Sequence, residues 1–208
     1  MKKEIVTIAF ILPLWFVLAN AQTVSVANDP VSLRQILAKQ PDYTATQQFH
    51  FSEGFGGFSA KSRVAKLGSR QVEIKADTIF ISEPGKPTIK VFPKRKEYTE
   101  IPEEKIDYLA ITPEGLAKSN DVVFKSLGKE KVGKYTCIKI EVSYKDEKLR
   151  GMKFLFWAAP ELKNLVIRSE ASLGDKVKLI TSLEDIILSV NEDYFRIPAG
   201  YKKVVESN

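Results

Sequence analysis

From Tyr43 onward apolar and polar residues alternate with a period of two, in runs rich in β-branched and aromatic side chains. Residues 43–51, 58–67, 70–75, 78–82 and 88–92 read as strands. Turn chemistry separates them at Glu53-Gly54-Phe55-Gly56-Gly57, Leu67-Gly68-Ser69, Ala76-Asp77 and Glu83-Pro84-Gly85-Lys86-Pro87. A second series covers 122–131, 135–145, 150–157, 165–173 and 176–190, with turns at Val132-Gly133-Lys134, 145–148 and Leu173-Gly174-Asp175. Connections this short join antiparallel neighbours and leave no room for βαβ crossovers, which excludes a nucleotide-binding parallel sheet.

Two stretches follow a helical period instead. Asp29 is placed as an N-cap, Pro30 as the first helical residue, and Leu33, Ile36 and Leu37 fall at i, i+3 and i+4 before Pro41 ends the helix. Between Pro102 and Asn120, Pro102-Glu103-Glu104 is an acidic helix start, and Ile106, Leu109 and Ala110 form a short apolar stripe. Thr112-Pro113-Glu114 then repeats the cap-and-proline signature.

Alternation also assigns faces. Ile138, Ile140, Val142 and Tyr144 share one side against Lys139, Glu141 and Ser143; Met152, Phe154 and Phe156 oppose Lys153, Leu155 and Trp157; Leu165 and Ile167 oppose Arg168 and Glu170. The expectation is a mainly β chain of the α+β class. One long antiparallel sheet of about ten strands, with one apolar face covered by two or three short helices, would curl rather than stay flat.

The amino end changes the picture of where the chain works. Lys2 and Lys3, the apolar run from Ile5 to Leu18, and Ala19-Asn20-Ala21 make residues 1–21 a secretory signal peptide, leaving 22–208 as one domain. The expected mature protein is soluble, periplasmic or secreted, and not lipid-anchored, because Cys137 is far from the new amino terminus. Loss of Lys2, Lys3 and Glu4 lowers the formal charge from +6 to about +5.

A composition of 44% hydrophobic and 28% charged residues is that of a globular domain, and one Cys with one His removes much chemistry. No internal disulfide, no Cys/His zinc centre and no metal site is expected, and no cofactor. Cys137 is either buried and inert or a free thiol able to pair between chains; its mid-strand setting favours the first. His50, opposite Phe49 and Phe51, is an ordinary side chain rather than a base. Arg70 and Glu73 point to opposite faces, and the pairs Glu103-Glu104, Glu184-Asp185 and Glu192-Asp193 splay apart, so no catalytic residue is assigned and no enzyme is expected. Gly54-Phe55-Gly56-Gly57 lacks the context of a phosphate loop. The cluster Lys86, Lys90, Lys94, Arg95 and Lys96 could meet an anionic membrane surface or an envelope protein, yet Glu97 and Glu100 interleave it; nucleic acid is not an expected partner.

Several segments together resemble a known family. Gly68-Ser69-Arg70-Gln71-Val72-Glu73-Ile74, then Lys90 to Pro102 with its Lys94-Arg95-Lys96-Glu97-Tyr98-Thr99-Glu100-Ile101-Pro102 run, then Gly128-Lys129-Glu130-Lys131-Val132-Gly133-Lys134-Tyr135-Thr136-Cys137 and Phe195-Arg196-Ile197-Pro198-Ala199-Gly200-Tyr201 occur in order. This series is similar to that of outer-membrane lipoprotein-sorting proteins, relatives of the periplasmic lipoprotein carrier, over most of residues 43–203. The resemblance implies an unclosed antiparallel β-barrel, a half-barrel, whose concave apolar side is plugged by helices and accepts acyl chains. The expected function is binding of a hydrophobic ligand or lipidated protein, with Ile138, Ile140, Val142, Met152, Phe154 and Phe156 as lining and Leu33, Ile36 and Leu37 as lid. The other expectation is a non-enzymatic interaction or structural module of the cell envelope with no small-molecule ligand.

Overall fold

A computed structural model of the chain describes residues 29–53, 56–102, 112–149, 151–174 and 177–205. The leader, the apolar stripe at Ile106, Leu109 and Ala110, and the Gly54-Phe55 tip lie outside the described residues. The first strand series comprises β1 (Tyr43–Glu53), β2 (Gly56–Leu67), β3 (Arg70–Lys75), β4 (Thr78–Ser82), β5 (Thr88–Phe92) and β6 (Glu97–Ile101). The second comprises β7 (Val122–Val132), β8 (Tyr135–Tyr144), β9 (Met152–Ala159), β10 (Leu165–Leu173) and β11 (Val177–Ile187), followed by the two-residue β12 (Lys202–Lys203). Each series is a meander, and β1 pairs with β11 to join them into one sheet of twelve strands, ordered β12-β6-β5-β4-β3-β2-β1-β11-β10-β9-β8-β7. Its end strands β12 and β7 are not paired with each other, so the barrel stays open.

The alternating runs thus become the strands the pattern predicts, with two additions. The period-two reading omits β6, whose five residues include two glutamates and only two strongly apolar side chains, and β12, which is too short to carry a period. β12 lies parallel to β6, so the sheet is mixed and not wholly antiparallel; the long chain between them makes a parallel return possible.

A single apolar face is also corrected. Register places Phe156, Ser169, Thr181, Phe49 and Ala60 in one row across β9, β10, β11, β1 and β2, hence on one face. Ala65, five residues beyond Ala60, faces the other way, and it nucleates a second core with Val72, Ile81 and Val91. The sheet therefore buries both faces: in the β8–β10 half Cys137, Trp157, Ala159 and Leu165 form a further core on the side opposite Phe156. A bulge between Val166 and Arg168 likewise shifts the phase in β10: Leu165 pairs with Ala159 and Arg168 with Trp157, so Leu165 and Arg168 share a face instead of opposing.

Two helices cover the β7–β10 end. In α1 (Pro30–Ala38) the Asp29 carboxylate accepts from Val31 N and Ser32 N at 3.2 Å each, which holds that carboxyl below its ordinary range. In α2 (Pro113–Lys118) Thr112 Oγ1 accepts from Gly115 N at 3.1 Å. Arg34 of α1 clasps α2, its Nη1 donating to Ala117 O at 2.7 Å and Ser119 O at 2.8 Å, while its guanidinium lies 4.8 Å from the Phe124 ring. On the other face the carboxyl-terminal segment covers the second core through Val190, Phe195 and Tyr201.

Candidate functional site on the helix-bearing face

The face that carries α1 and α2 has three zones. The first holds the predicted lining residues. Ile138, Ile140, Val142, Phe154 and Phe156 are all at most 4% exposed, and Leu33 and Leu37 are fully buried against them. Met152 and Ile36 are half-buried at the margin of the same cluster. Strand pairing explains the convergence: Val142 opposes Phe154, Ile140 opposes Phe156, and Ile138 opposes Ala158 on one side of β8 and β9. Leu116 and Ala117 of α2, with Phe124 of β7, complete the cluster. The space that an acyl chain would occupy is filled by leucine side chains of the helices.

Beside α2 the face turns polar. A cleft of about 130 Å³ is lined by Gln40, Tyr43, Lys66, Glu114, Val166 and Leu183 among others. Lys66 Nζ lies 3.0 Å from Glu114 Oε1, and Gln40 Oε1 accepts from Val166 N at 2.8 Å, pinning the link after α1 to β10. Burial raises the Tyr43 hydroxyl above its ordinary range, and the Glu114 charge adds to the effect.

The third zone is open and aromatic. Phe58 is 56% exposed, with its ring centroid 5.6 Å from both Phe49 and Phe51. Phe51 and Phe58 oppose one another across β1 and β2. The neighbouring Gly57 is required there, because a Cβ would stand 2.6 Å from Phe51 O.

Other candidates find quieter roles. His50 is exposed on the opposite face, its Nδ1 2.8 Å from Ser59 Oγ, in a cleft without a carboxylate. Cys137 is buried, and burial pushes its thiol up to about 11, away from the reactive thiolate. Much of the basic cluster is neutralised locally: Lys86 meets Glu83 at 2.9 Å, Lys94 meets Asp77, and Arg95 meets Glu97 at 3.3 Å. Among the described residues no group of three or more His, Cys, Asp or Glu side chains is gathered to hold a metal, and no helix is long and apolar enough to cross a membrane. The sequence reading misses Leu116, Ala117 and Phe124; the Thr112-Pro113 cap announces α2, but six helical residues are too few for a periodic stripe to declare its buried face.

The chain matches no protein-family model and no curated protein. Among solved structures it is similar to a LolA superfamily protein from Nitrosomonas europaea, at 10% identity and a TM-score of 0.40, over 82% of this chain and 98% of that one. It is similar to lipoprotein LppX from Mycobacterium tuberculosis at 14% identity and a TM-score of 0.45, over 78% of this chain and 95% of the other. Lipoprotein-sorting and LolA superfamily proteins, the group that the Lys90 to Pro102 run and the Phe195 to Tyr201 ending resemble, thus stand among its structural neighbours. Similarity to MucB reaches a TM-score of 0.54 at 13% identity, over 83% of this chain and 64% of MucB, and at that level the chain shares with MucB an overall fold.

Proposed function

We propose that this chain is an exported binder of a hydrophobic ligand or of a lipidated protein, with α1 and α2 as a displaceable lid over the apolar face of β7–β10. One observation carries the reading: nine strand residues of the core are covered by four helix side chains, Leu33, Leu37, Leu116 and Ala117, on two short helices. Each buried leucine contributes about 1.5–3 kcal/mol, so the three leucines together hold the lid with about 5–9 kcal/mol. Ten methylenes of an acyl chain entering the same space contribute about 8 kcal/mol. The exchange of lid for ligand is therefore close to balanced, which is what binding followed by release to an acceptor requires. Ile138, Ile140, Val142, Met152, Phe154 and Phe156 would line the site, and Phe49, Phe51 and Phe58 would extend it along the same face. The resemblance of the Lys90 to Pro102 run and the Phe195 to Tyr201 ending to lipoprotein-sorting proteins agrees with this reading. Cleavage near Ala21 would deliver the chain to the periplasm or the exterior.

Titration of the protein with a fluorescent fatty acid, paired with native mass spectrometry, tests the proposal. Binding is expected, and Leu33→Ala or Leu37→Ala, which thin the lid and leave the sheet intact, are expected to tighten it. Absence of binding in the parent and in both lid variants overturns it. The filled core favours a second reading, a non-enzymatic interaction module of the cell envelope without a small ligand, and that same absence of binding would support it.

A further inference from the structure

The sheet treats its two outer edges differently. At one, β12 lies along β6 and occupies it, with Lys202 N donating to Lys96 O at 3.0 Å and Val204 N to Tyr98 O at 2.8 Å. At the other, β7 runs for eleven residues and pairs only with β8 among the described residues. A long strand with one unpaired row of backbone N–H and C=O groups is a template for strand addition.

Natural sheets protect such edges with lysines and bulges, and β7 has both. Its bulge lies between Ser126 and Lys129, around Gly128 at φ +90°, and disrupts the second half of the strand. The first half is not disrupted: Val122 to Ser126 keep an unbroken register against Tyr144 to Ile140. There Val123, 48% exposed, stands beside the exposed Lys125, and Leu127 just beyond is 41% exposed. Protection alone accounts for the lysines and the bulge; it leaves two exposed aliphatic side chains on a regular, unpaired edge without an explanation.

Charge selects the occupant. Between α2 and the β7–β8 turn the exposed cations are Lys118, Lys125, Lys129, Lys131 and Lys134, against Asp121 and Glu130. Glu130 is already engaged by Lys139 at 2.8 Å, which holds its carboxyl below the ordinary range. Two copies of β7 laid edge to edge would bring lysines together, which is destabilising, whereas a strand bearing carboxylates is attracted.

We propose that the Val122 to Ser126 edge of β7 docks an extended, acidic segment of another protein by strand addition, with a carboxylate facing Lys125 and, two residues along on the same face, an apolar side chain against Val123. This site is separate from the ligand site under the helices. The probe is a labelled ten-residue peptide of repeated Val-Thr-Glu-Thr, which sets valine and glutamate in turn along one face, followed by fluorescence anisotropy on the full chain at low and high salt. Binding is expected, weakened by salt, with slowed hydrogen exchange at residues 122–126. N-methylation of alternate peptide residues is expected to cost at least ten-fold. Lys125→Glu should lose at least ten-fold for the acidic peptide and gain binding of a counterpart with lysine in place of glutamate. Equal affinity of the N-methylated peptide, protection elsewhere on the sheet, insensitivity to the charge reversal, or dimerisation that protects residues 122–126 without peptide would overturn the proposal. The exchange measurement on the unaltered chain decides the matter even if the charge-reversed variant folds poorly.

Discussion

Glu170 shows how a single side chain is set by its surroundings. It is 8% exposed, with Arg168 Nη2 at 2.5 Å and Lys178 Nζ at 2.8 Å. Burial alone would raise its carboxyl, but the two cations outweigh that and hold it below the ordinary range. A carboxyl depressed by folding stabilises the protein at pH values above about 4.3, its unfolded value, and loses that contribution as pH falls through the folded one. Glu170→Gln is therefore expected to destabilise the fold by about 1–3 kcal/mol at pH 7, with the difference from the parent vanishing in strong acid. Urea denaturation at pH 7 and pH 3 checks both halves of the statement. Arg168 and Lys139 also stand 5.1 and 4.8 Å from the Trp157 ring, so the ion cluster continues into a cation–aromatic one on the same face. Period two alone sets Leu165 against Arg168; the bulge beside Arg168 reverses this, and one inserted residue leaves no trace in a local pattern.

At the scale of elements the helices are instructive because their starts were readable and their destinations were not. Asp29-Pro30 and Thr112-Pro113 announce two helix starts through capping chemistry that depends on adjacent residues alone. What holds α1 to α2 is Arg34, whose guanidinium satisfies carbonyls more than eighty residues away at the end of α2. Arg34→Ala is expected to cost about 1–3 kcal/mol. It should also speed amide exchange in Pro113–Lys118 more than in the strands, since the lid loosens while the sheet ladder persists. Uniform acceleration of exchange across the chain would show instead that α1, α2 and the sheet open together.

The whole molecule is one continuous sheet with core clusters on both of its sides, two of which are covered by segments from outside the sheet. The helices cover the Phe154 and Phe156 cluster; the segment carrying Val190, Phe195 and Tyr201 covers that of Val72, Ile81 and Val91, with Arg70 4.9 Å from the Phe195 ring and Lys203 bound to Glu100 at 2.7 Å. Truncation before Asn191 uncovers Ile74, Ile79 and Ile89 together with the β6 edge. It is expected to destabilise the protein by about 2–4 kcal/mol, since Phe195 and Tyr201 are only partly buried, and to raise binding of an apolar dye. Thermal denaturation followed by dye fluorescence measures both. Unchanged stability would mean that the second core holds without its cover.

By itself the sequence determined the elements: ten of the twelve strands, both helix caps, the turns between neighbours, and the poverty in Cys and His that argues against relay and zinc chemistry. Each of these depends on a residue and a few neighbours along the chain, through backbone preference, side-chain period or turn geometry. Only the tertiary structure decided that the sheet buries both of its faces, that Leu33, Leu37 and Leu116 already fill the expected ligand space, and that one edge is occupied while β7, among the described residues, pairs on one side alone. Those outcomes depend on bulges, on the β1–β11 pairing and on contacts such as that of Arg34 with Ala117, between residues far apart in the chain. A period counts steps along a strand, and it holds no information about what arrives from a distance to cover it.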